Sequence, residues 1–522
     1  MFHPFTTKTL EYVDTPNGKL RGYKQNDIYA FLGVPYGECK RWQTATPAKP
    51  WKGIRNALHI GTRAFPIGMI FTPWDSCGVA HEAYNYSEDC LNLNVWTPSI
   101  DKGAKKPVMV WIHGGGYVHG SSMEMQAHDG ENLSKFGDVV VVTVNHRLNV
   151  FGFMDASRFG EKYANSGNAG MSDLVLALKW VKEHISSFGG DPDNVLIYGQ
   201  SGGGGKVRVL LQVPEAAGLF HKAVIMSGAL GRPTPDGVRE NESADYANLI
   251  LDRMLEKYNT DDIAVLEALE PEELLDLVAE VTPTGAEVLS WHPIANEWYP
   301  GAAEHIGPSE FAKTVPVMIG TTITEFPPMR VFNKHSYTEE QKEAIVREAF
   351  PDQDTDTLIK LFREAWPNKS LTDVTEMYGF MDFRLPTIEY VHMRAKTATA
   401  PTYVYIFALE FDQNGGRSAW HCADIPIVFH NAENYPENFH NRLMDGLQDA
   451  ICGSWVNFAH NSDPNNDYLK VQWPAYTEEE RAVMVFDKPC EVREEFDREL
   501  VYFLSGLKQK PLEQYAHDIL IN

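Results

Sequence analysis

Gly199-Gln200-Ser201-Gly202-Gly203 follows the apolar run Asn194-Val195-Leu196-Ile197-Tyr198 and precedes helix-compatible sequence. A sharp turn from strand to helix pushes its central side chain out of the sheet and crowds the backbone, so small residues are needed on either side. Gly199 and Gly203 meet that need, and Ser201 becomes a candidate nucleophile. With 40 glycines in 522 residues the pattern alone is only moderately specific. Its surroundings decide the reading.

Outward from the elbow, β-rich runs occur at Leu91–Trp96, Val108–His113, Val139–Val144, Val195–Tyr198, Ala223–Met226, Val317–Ile319, Tyr403–Leu409 and Val483–Phe486. Several are apolar without alternation, as strands buried on both faces should be. Helical patterns lie between them, the clearest being Asp173–Ile185 with apolar Leu174, Ala177, Leu178, Val181 and Ile185 at three- and four-residue spacing. Alternating strands and helices imply an α/β fold with a large, mainly parallel central sheet and helices on both faces. Near the start, Glu11–Val13 and Lys19–Tyr23 flank Pro16-Asn17-Gly18, where Asn-Gly is expected to supply the positive φ angles of a tight hairpin, giving an antiparallel N-terminal edge.

Two helix-rich intervals, about 230–315 and 335–400, read as insertions covering the active-site face. The first holds Ala244–Lys257 and Pro271–Val281, with proline in the first turn. In the second, Thr338 and Gln341 are spaced as a capping box before Lys342–Phe350. No internal repeat, charge block or low-complexity linker divides the chain, so residues 1–522 are expected to form one domain.

Hydrophobic residues at 43%, charged residues at 22% and aromatic residues at 11% are ordinary for a large folded enzyme. The 46 basic and 71 acidic side chains leave a net charge of −25, which repels phosphate backbones and anionic lipid, so nucleic acid is a poor partner. The first residues hold no apolar stretch of signal-peptide length and no run is long enough to span a bilayer, which points to a soluble, cytoplasmic protein. Six scattered cysteines lack the paired short spacings of a zinc site, and neither metal nor cofactor is expected. Only Cys77 and Cys90 are close enough in sequence for a local bridge.

A serine hydroxyl is a weak nucleophile at neutral pH, so acyl transfer needs a histidine to take its proton, an acid to orient the histidine, and donors for the oxyanion. The run Trp111-Ile112-His113-Gly114-Gly115-Gly116-Tyr117 leaves a buried strand with three glycines, whose bare N–H groups can point at a substrate oxygen. Gly202, directly after the serine, adds a further N–H. Seven histidines beyond residue 330 are candidates for the base: His335, His392, His421, His430, His440, His460 and His517. His421 ends the loop after Tyr403–Leu409, and catalytic groups in open α/β sheets gather at the carboxyl ends of strands. Position makes His421 the first choice, at about even odds against the others together. By the same rule the acid follows an earlier strand, as Glu325 does after Val317–Ile319. The order serine, acid, histidine is that of α/β-hydrolases.

These residues resemble the type-B carboxylesterase family, which includes carboxylesterases and cholinesterases. The likeness spans almost the full length. It rests on Phe31-Leu32-Gly33-Val34-Pro35-Tyr36, Glu88-Asp89-Cys90-Leu91-Asn92-Leu93-Asn94-Val95-Trp96, the Gly114–Gly116 loop, Asn145-His146-Arg147-Leu148 and Phe188-Gly189-Gly190-Asp191-Pro192. Met226-Ser227-Gly228, His421-Cys422-Ala423-Asp424-Ile425-Pro426 and Trp473-Pro474-Ala475-Tyr476 continue it. The resemblance implies an α/β-hydrolase fold with Ser201 as nucleophile, Glu325 as acid, His421 as base, and Gly115, Gly116 and Gly202 as oxyanion donors. It lifts Glu325 and His421 above what position gave.

The chain departs from the family in three places. The usual proline-rich loop is shortened after Tyr36. The upstream cysteine that pairs with the Cys90 position in many secreted members is missing near Phe65-Pro66, which puts the family disulfide in question and points to an intracellular, bacterial-like enzyme. Gly202 and Gly204 replace an alanine-containing elbow, keeping the N–H. The expected reaction is hydrolysis of small to medium carboxylic esters through an acyl-enzyme. An amidase, thioesterase or carbamate hydrolase can use the same residues, and a non-catalytic adhesion relative would typically lack the nucleophile. Tyr117 is a candidate for the substrate pocket, and oligomeric state is left open.

Overall fold

A computed structural model describes residues 8–67, 85–229, 240–283, 291–326, 331–351, 353–377, 381–435 and 446–506. The main sheet holds twelve strands in one path: β1 (Thr9–Thr15), β2 (Gly18–Gln25), β3 (Ile28–Pro35), β4 (Asn92–Thr97), β5 (Lys106–Ile112), β6 (Val140–Val144), β7 (Gly190–Gln200), β8 (Lys222–Met226), β9 (Val317–Thr322), β10 (Thr402–Phe407), β11 (Ala482–Phe486) and β12 (Glu491–Glu494). Their order across the sheet is β1-β2-β3-β4-β6-β5-β7-β8-β9-β10-β11-β12, with a short thirteenth strand, Ile54–Asn56, beside β2. From β6 to β11 every pairing is parallel. Pairings from β1 to β4, β4 with β6, and β11 with β12 are antiparallel.

The unbroken apolar runs have their explanation in this topology. All five residues of β6, Val-Val-Val-Thr-Val, are buried, as are all of β8, β9, β10 and β11. Helices on both faces remove the solvated side that would otherwise demand alternation. The helix expected at Asp173–Ile185 runs from Ala169 to His184 (α1), and the helix after the elbow is Gly202–Leu210 (α2). In the two intervals read as insertions, the longer helices among the described residues are Glu240–Lys257, Pro271–Val281, Glu339–Ala349, Thr355–Ala365 and Met381–Thr397. Thr338 and Gln341 form the capping box, Gln341 N–H donating to Thr338 Oγ1 at 3.3 Å and Thr338 N–H to Gln341 Oε1 at 2.9 Å.

The N-terminal hairpin forms, but its turn differs from the expected one. Thr15 pairs with Gly18, so the turn residues are Pro16 and Asn17. The proline ring fixes a negative φ, which excludes the type I′ geometry of Asn-Gly. Asn17 has no positive φ, and only Gly18 does, at 140°. A side chain at Gly18 would meet the Trp51 indole 2.6 Å away. Cys77 lies outside the described residues. Cys90 is a buried free thiol, and Cys39, Cys452 and Cys490 are also free. Among the described residues no helix is long and apolar enough to cross a membrane.

Asn145-His146-Arg147-Leu148 connects β6 to the helical layer through a buried ion pair. Arg147 Nε donates to Asp173 Oδ2 at 2.8 Å and Nη2 to Oδ1 at 2.6 Å, while Nη1 reaches the carbonyls of Gln43 and Lys40 at 2.8 and 3.2 Å. Both side chains are almost fully buried. Asp173→Ala would leave a guanidinium uncompensated in the core and is expected to lower stability by about 3–5 kcal/mol, read as a shift of the urea unfolding midpoint. An unfolding midpoint equal to that of the parent would contradict this account.

Candidate active site

At the carboxyl end of β7, Ser201 takes φ 59° and ψ −128°, a conformation that non-glycine residues rarely occupy. The surrounding glycines permit it. A Cβ at Gly199 would lie 2.6 Å from the carbonyl oxygen of Ile112, and one at Gly203 only 2.0 Å from the same oxygen. Ser201 N–H donates to Met226 O at 2.8 Å, and its carbonyl accepts from Gly205 N–H at 3.0 Å, so the turn is tied to β8 and to the first turn of α2.

The glycine loop continues directly from β5. Gly115 and Gly116 have φ of 82° and 61°, and the Gly115 carbonyl accepts from Val118 and His119 N–H groups at 3.2 and 3.1 Å. Among the described residues the N–H groups of Gly115, Gly116 and Gly202 donate to no protein acceptor. Three such donors sit at the N-terminus of α2 and in the loop that faces it. A Cβ at Gly202 would lie 2.0 Å from the Gly116 carbonyl oxygen, so loop and elbow touch at the backbone.

Glu325 and His421 are brought together by a bridge between the segments after β9 and β10. His421 N–H donates to Glu325 O at 2.7 Å, and Thr324 N–H to Ala419 O at 3.1 Å. The Glu325 side chain is fully buried, and His421 Nδ1 donates to Glu325 Oε2 in a short hydrogen bond. The other carboxylate oxygen accepts from Ser227 Oγ at 2.7 Å and Thr322 N–H at 2.9 Å. Glu325 itself has φ 53°, a second strained residue at the site.

With its proton on Nδ1, His421 presents a lone pair at Nε2. That nitrogen lies 3.2 Å from Gln200 Nε2, which donates to it, while Gln200 Oε1 accepts from Cys422 Sγ at 3.1 Å. Ser201 Oγ makes no hydrogen bond among the described residues. His421 Nε2 is thus paired with the Gln200 amide and not with Ser201 Oγ.

A second carboxyl lies close by. Burial, with repulsion from Glu325 second, pushes Asp424 up to about 7, and its Oδ2 accepts from Tyr405 OH at 3.3 Å. Two rings pack on the imidazole: Phe326 at 4.1 Å between centroids and Phe383 at 4.9 Å. Phe383 is buried, whereas Phe326 is 39% exposed.

Of the residues singled out in the sequence, Glu325 and His421 meet directly, and Gly115, Gly116 and Gly202 surround the elbow that carries Ser201. Tyr117 is buried, with its ring against Phe153 and His292 at 5.2 and 5.0 Å. His440 and His517 lie outside the described residues; His335, His392, His430 and His460 bond elsewhere, to Glu410, Glu495, Asp449 and Gly137 O. Sequence reasoning missed Gln200, Ser227, Thr322, Phe326 and Phe383. Ser227 stood in the quoted Met226-Ser227-Gly228 without a role, and Gln200 was the variable position of the elbow.

A serine lifted on a strand-to-helix elbow, at the carboxyl end of a mainly parallel sheet, is the arrangement of the α/β-hydrolase fold. The chain belongs to the Carboxylesterase family, whose profile matches residues 9–504. It is 30% identical over 505 residues to the para-nitrobenzyl esterase of Bacillus subtilis strain 168, covering 94% of this chain and 98% of that protein. It is 28% identical to the phenmedipham hydrolase of Pseudarthrobacter oxydans, over 94% of this chain and 98% of that protein. A solved structure of an esterase from anaerobic Clostridium hathewayi, described as able to hydrolyze aliphatic aromatic polyesters, superimposes with a TM-score of 0.88. The two chains are 40% identical, with 96% of this chain and 100% of that one covered. The protein is a serine carboxylic-ester hydrolase.

Ser227→Ala leaves Glu325 Oε1 with the Thr322 N–H alone. The buried carboxylate then loses one charged hydrogen bond, and stability is expected to fall by ~1–3 kcal/mol in urea unfolding; an unchanged midpoint would show that the hydroxyl is dispensable to the buried acid.

Proposed function

We propose that the hydrolysis runs through an acyl-enzyme on Ser201. His421 Nε2 takes the serine proton as Oγ bonds to the acyl carbon, and the carbonyl oxygen becomes an oxyanion facing the N–H groups of Gly115, Gly116 and Gly202. On collapse the bond to the alcohol breaks and His421 returns the proton to the leaving oxygen. Water repeats the sequence: His421 takes its proton, the hydroxyl oxygen bonds to the acyl carbon, and Ser201 leaves with the proton back on Oγ. Glu325 stays ionised, fixes the Nδ1–H tautomer and stabilises the imidazolium. The observation that carries this reading is the unpartnered N–H triplet around Ser201, with a histidine already oriented by a buried carboxylate beside it.

The same reading takes the chain as one catalytic unit over 1–522, with the helical intervals at about 230–315 and 335–400 covering the site. Phe383 on the helix Met381–Thr397 packs against His421, which supports that placement. The free thiols among the described residues support a reducing, cytoplasmic setting. For the substrate, the half-exposed Phe326 ring over His421 supplies an aromatic wall beside the reacting atoms, which favours small to medium esters bearing an aryl group. The polyester activity of the Clostridium hathewayi relative is in keeping with that preference.

Ser201→Ala is expected to lower turnover of p-nitrophenyl acetate by more than ~10⁴-fold and to abolish labelling by a fluorophosphonate probe. Retained burst kinetics in that variant would remove Ser201 from the role. A panel of benzoate and alkanoate esters, with matched amide, thioester and carbamate analogues, separates substrate classes; equal kcat/KM for aryl and alkyl esters would discard the Phe326 wall.

A further inference from the structure

Beneath the glycine loop lies a cation that the mechanism above does not use. Lys206, on α2 five residues after Ser201, is fully buried, and its Nζ donates to the carbonyl oxygen of His113 at 3.1 Å. His113 is the last residue before Gly114-Gly115-Gly116. Its own ring completes the fastening: Nδ1 donates to Gly114 O at 3.0 Å. With Gly115 O held by Val118 and His119, three successive carbonyls are tied back. The N–H groups of Gly115 and Gly116 are left without protein acceptors.

The groups facing the ammonium come from the segments that follow β5 and β6. Glu124 approaches from the loop before β6 and attracts it, and the Tyr117 ring lies 5.4 Å from Nζ. His113 follows β5 and His146 follows β6. Their rings stack at 4.9 Å, and burial together with Lys206 holds both well below the usual imidazole range, so they are neutral. Burial drives the lysine down to about 7. A methionine would fill the same volume without any desolvation cost, so stability alone gives no reason for a charge here.

We propose that Lys206 is a positioning residue for ester hydrolysis, its buried ammonium fastening the His113 carbonyl so that the glycine loop faces the oxyanion, and adding positive charge on the side where that oxyanion forms. The N-terminus of α2 directs its positive end to the same place. This inference rests on the assignment of Ser201 as nucleophile and of the glycine N–H groups as oxyanion donors.

The sign follows from the lysine's charge. Below its pKa it is protonated and supports the oxyanion; above it the ammonium is lost and kcat falls. Wild-type kcat is therefore expected to show a descending limb starting near neutral pH. In Lys206→Met, kcat is expected to drop ~10- to 100-fold, with KM within about twofold and with the descending limb gone. Lys206→Gln serves as the second variant if the first does not fold. Molecules are counted by fluorophosphonate labelling of Ser201, which separates the two ideas. Labelled variants with wild-type kcat, or with the descending limb retained, overturn the role of Lys206 and leave Ser201 standing. A wild-type enzyme that never labels overturns both. If neither variant folds, the wild-type profile decides, and a kcat that stays flat up to pH ~10 rejects the proposal.

Discussion

The approach of Gly203 to the carbonyl of Ile112 sets the geometry on which the site depends. Strand β5 carries the glycine loop and strand β7 carries Ser201, and the two are neighbours in the sheet with Gly199 opposite Ile112. Their parallel register therefore fixes where the serine stands relative to the loop before any side chain is considered. A Cβ at Gly203, 2.0 Å from that oxygen, would force the elbow outward and separate the two. Lys206 fastens the same junction from the helix side, one residue further along the loop.

What was legible in the sequence was what the backbone demands locally. The elbow needs glycines at fixed offsets, buried parallel strands need unbroken apolar runs, and catalytic groups follow strand ends. These constraints single out Ser201, Gly115, Gly116 and Gly202 as candidates, and the strand-end rule with the family likeness adds Glu325 and His421. Contacts between segments far apart in the chain left no such trace. Gln200 reaches His421 across 221 positions, and Ser227 reaches Glu325 across 98. Nothing in the spacing of either residue encodes those meetings. The hairpin turn departs from the Asn-Gly expectation for a different reason: Pro16 is itself a turn residue, and its ring decides the turn.

Electrostatically, the site keeps two carboxyls in unlike surroundings. Glu325 receives hydrogen bonds from His421, Ser227 and Thr322. Asp424 sits three residues beyond His421 with a long bond from Tyr405 as its support, and burial raises its pKa.

The backbone contact between Gly202 and Gly116 gives the elbow and the glycine loop a common inheritance. A side chain at position 202 would put its first carbon 2.0 Å from the Gly116 carbonyl oxygen, so loop and elbow are matched to each other at the backbone. An exchange that brings a side chain to position 202 therefore has to move the loop as well, so in a gene-shuffling library residues 113–117 and 199–206 travel best as one block.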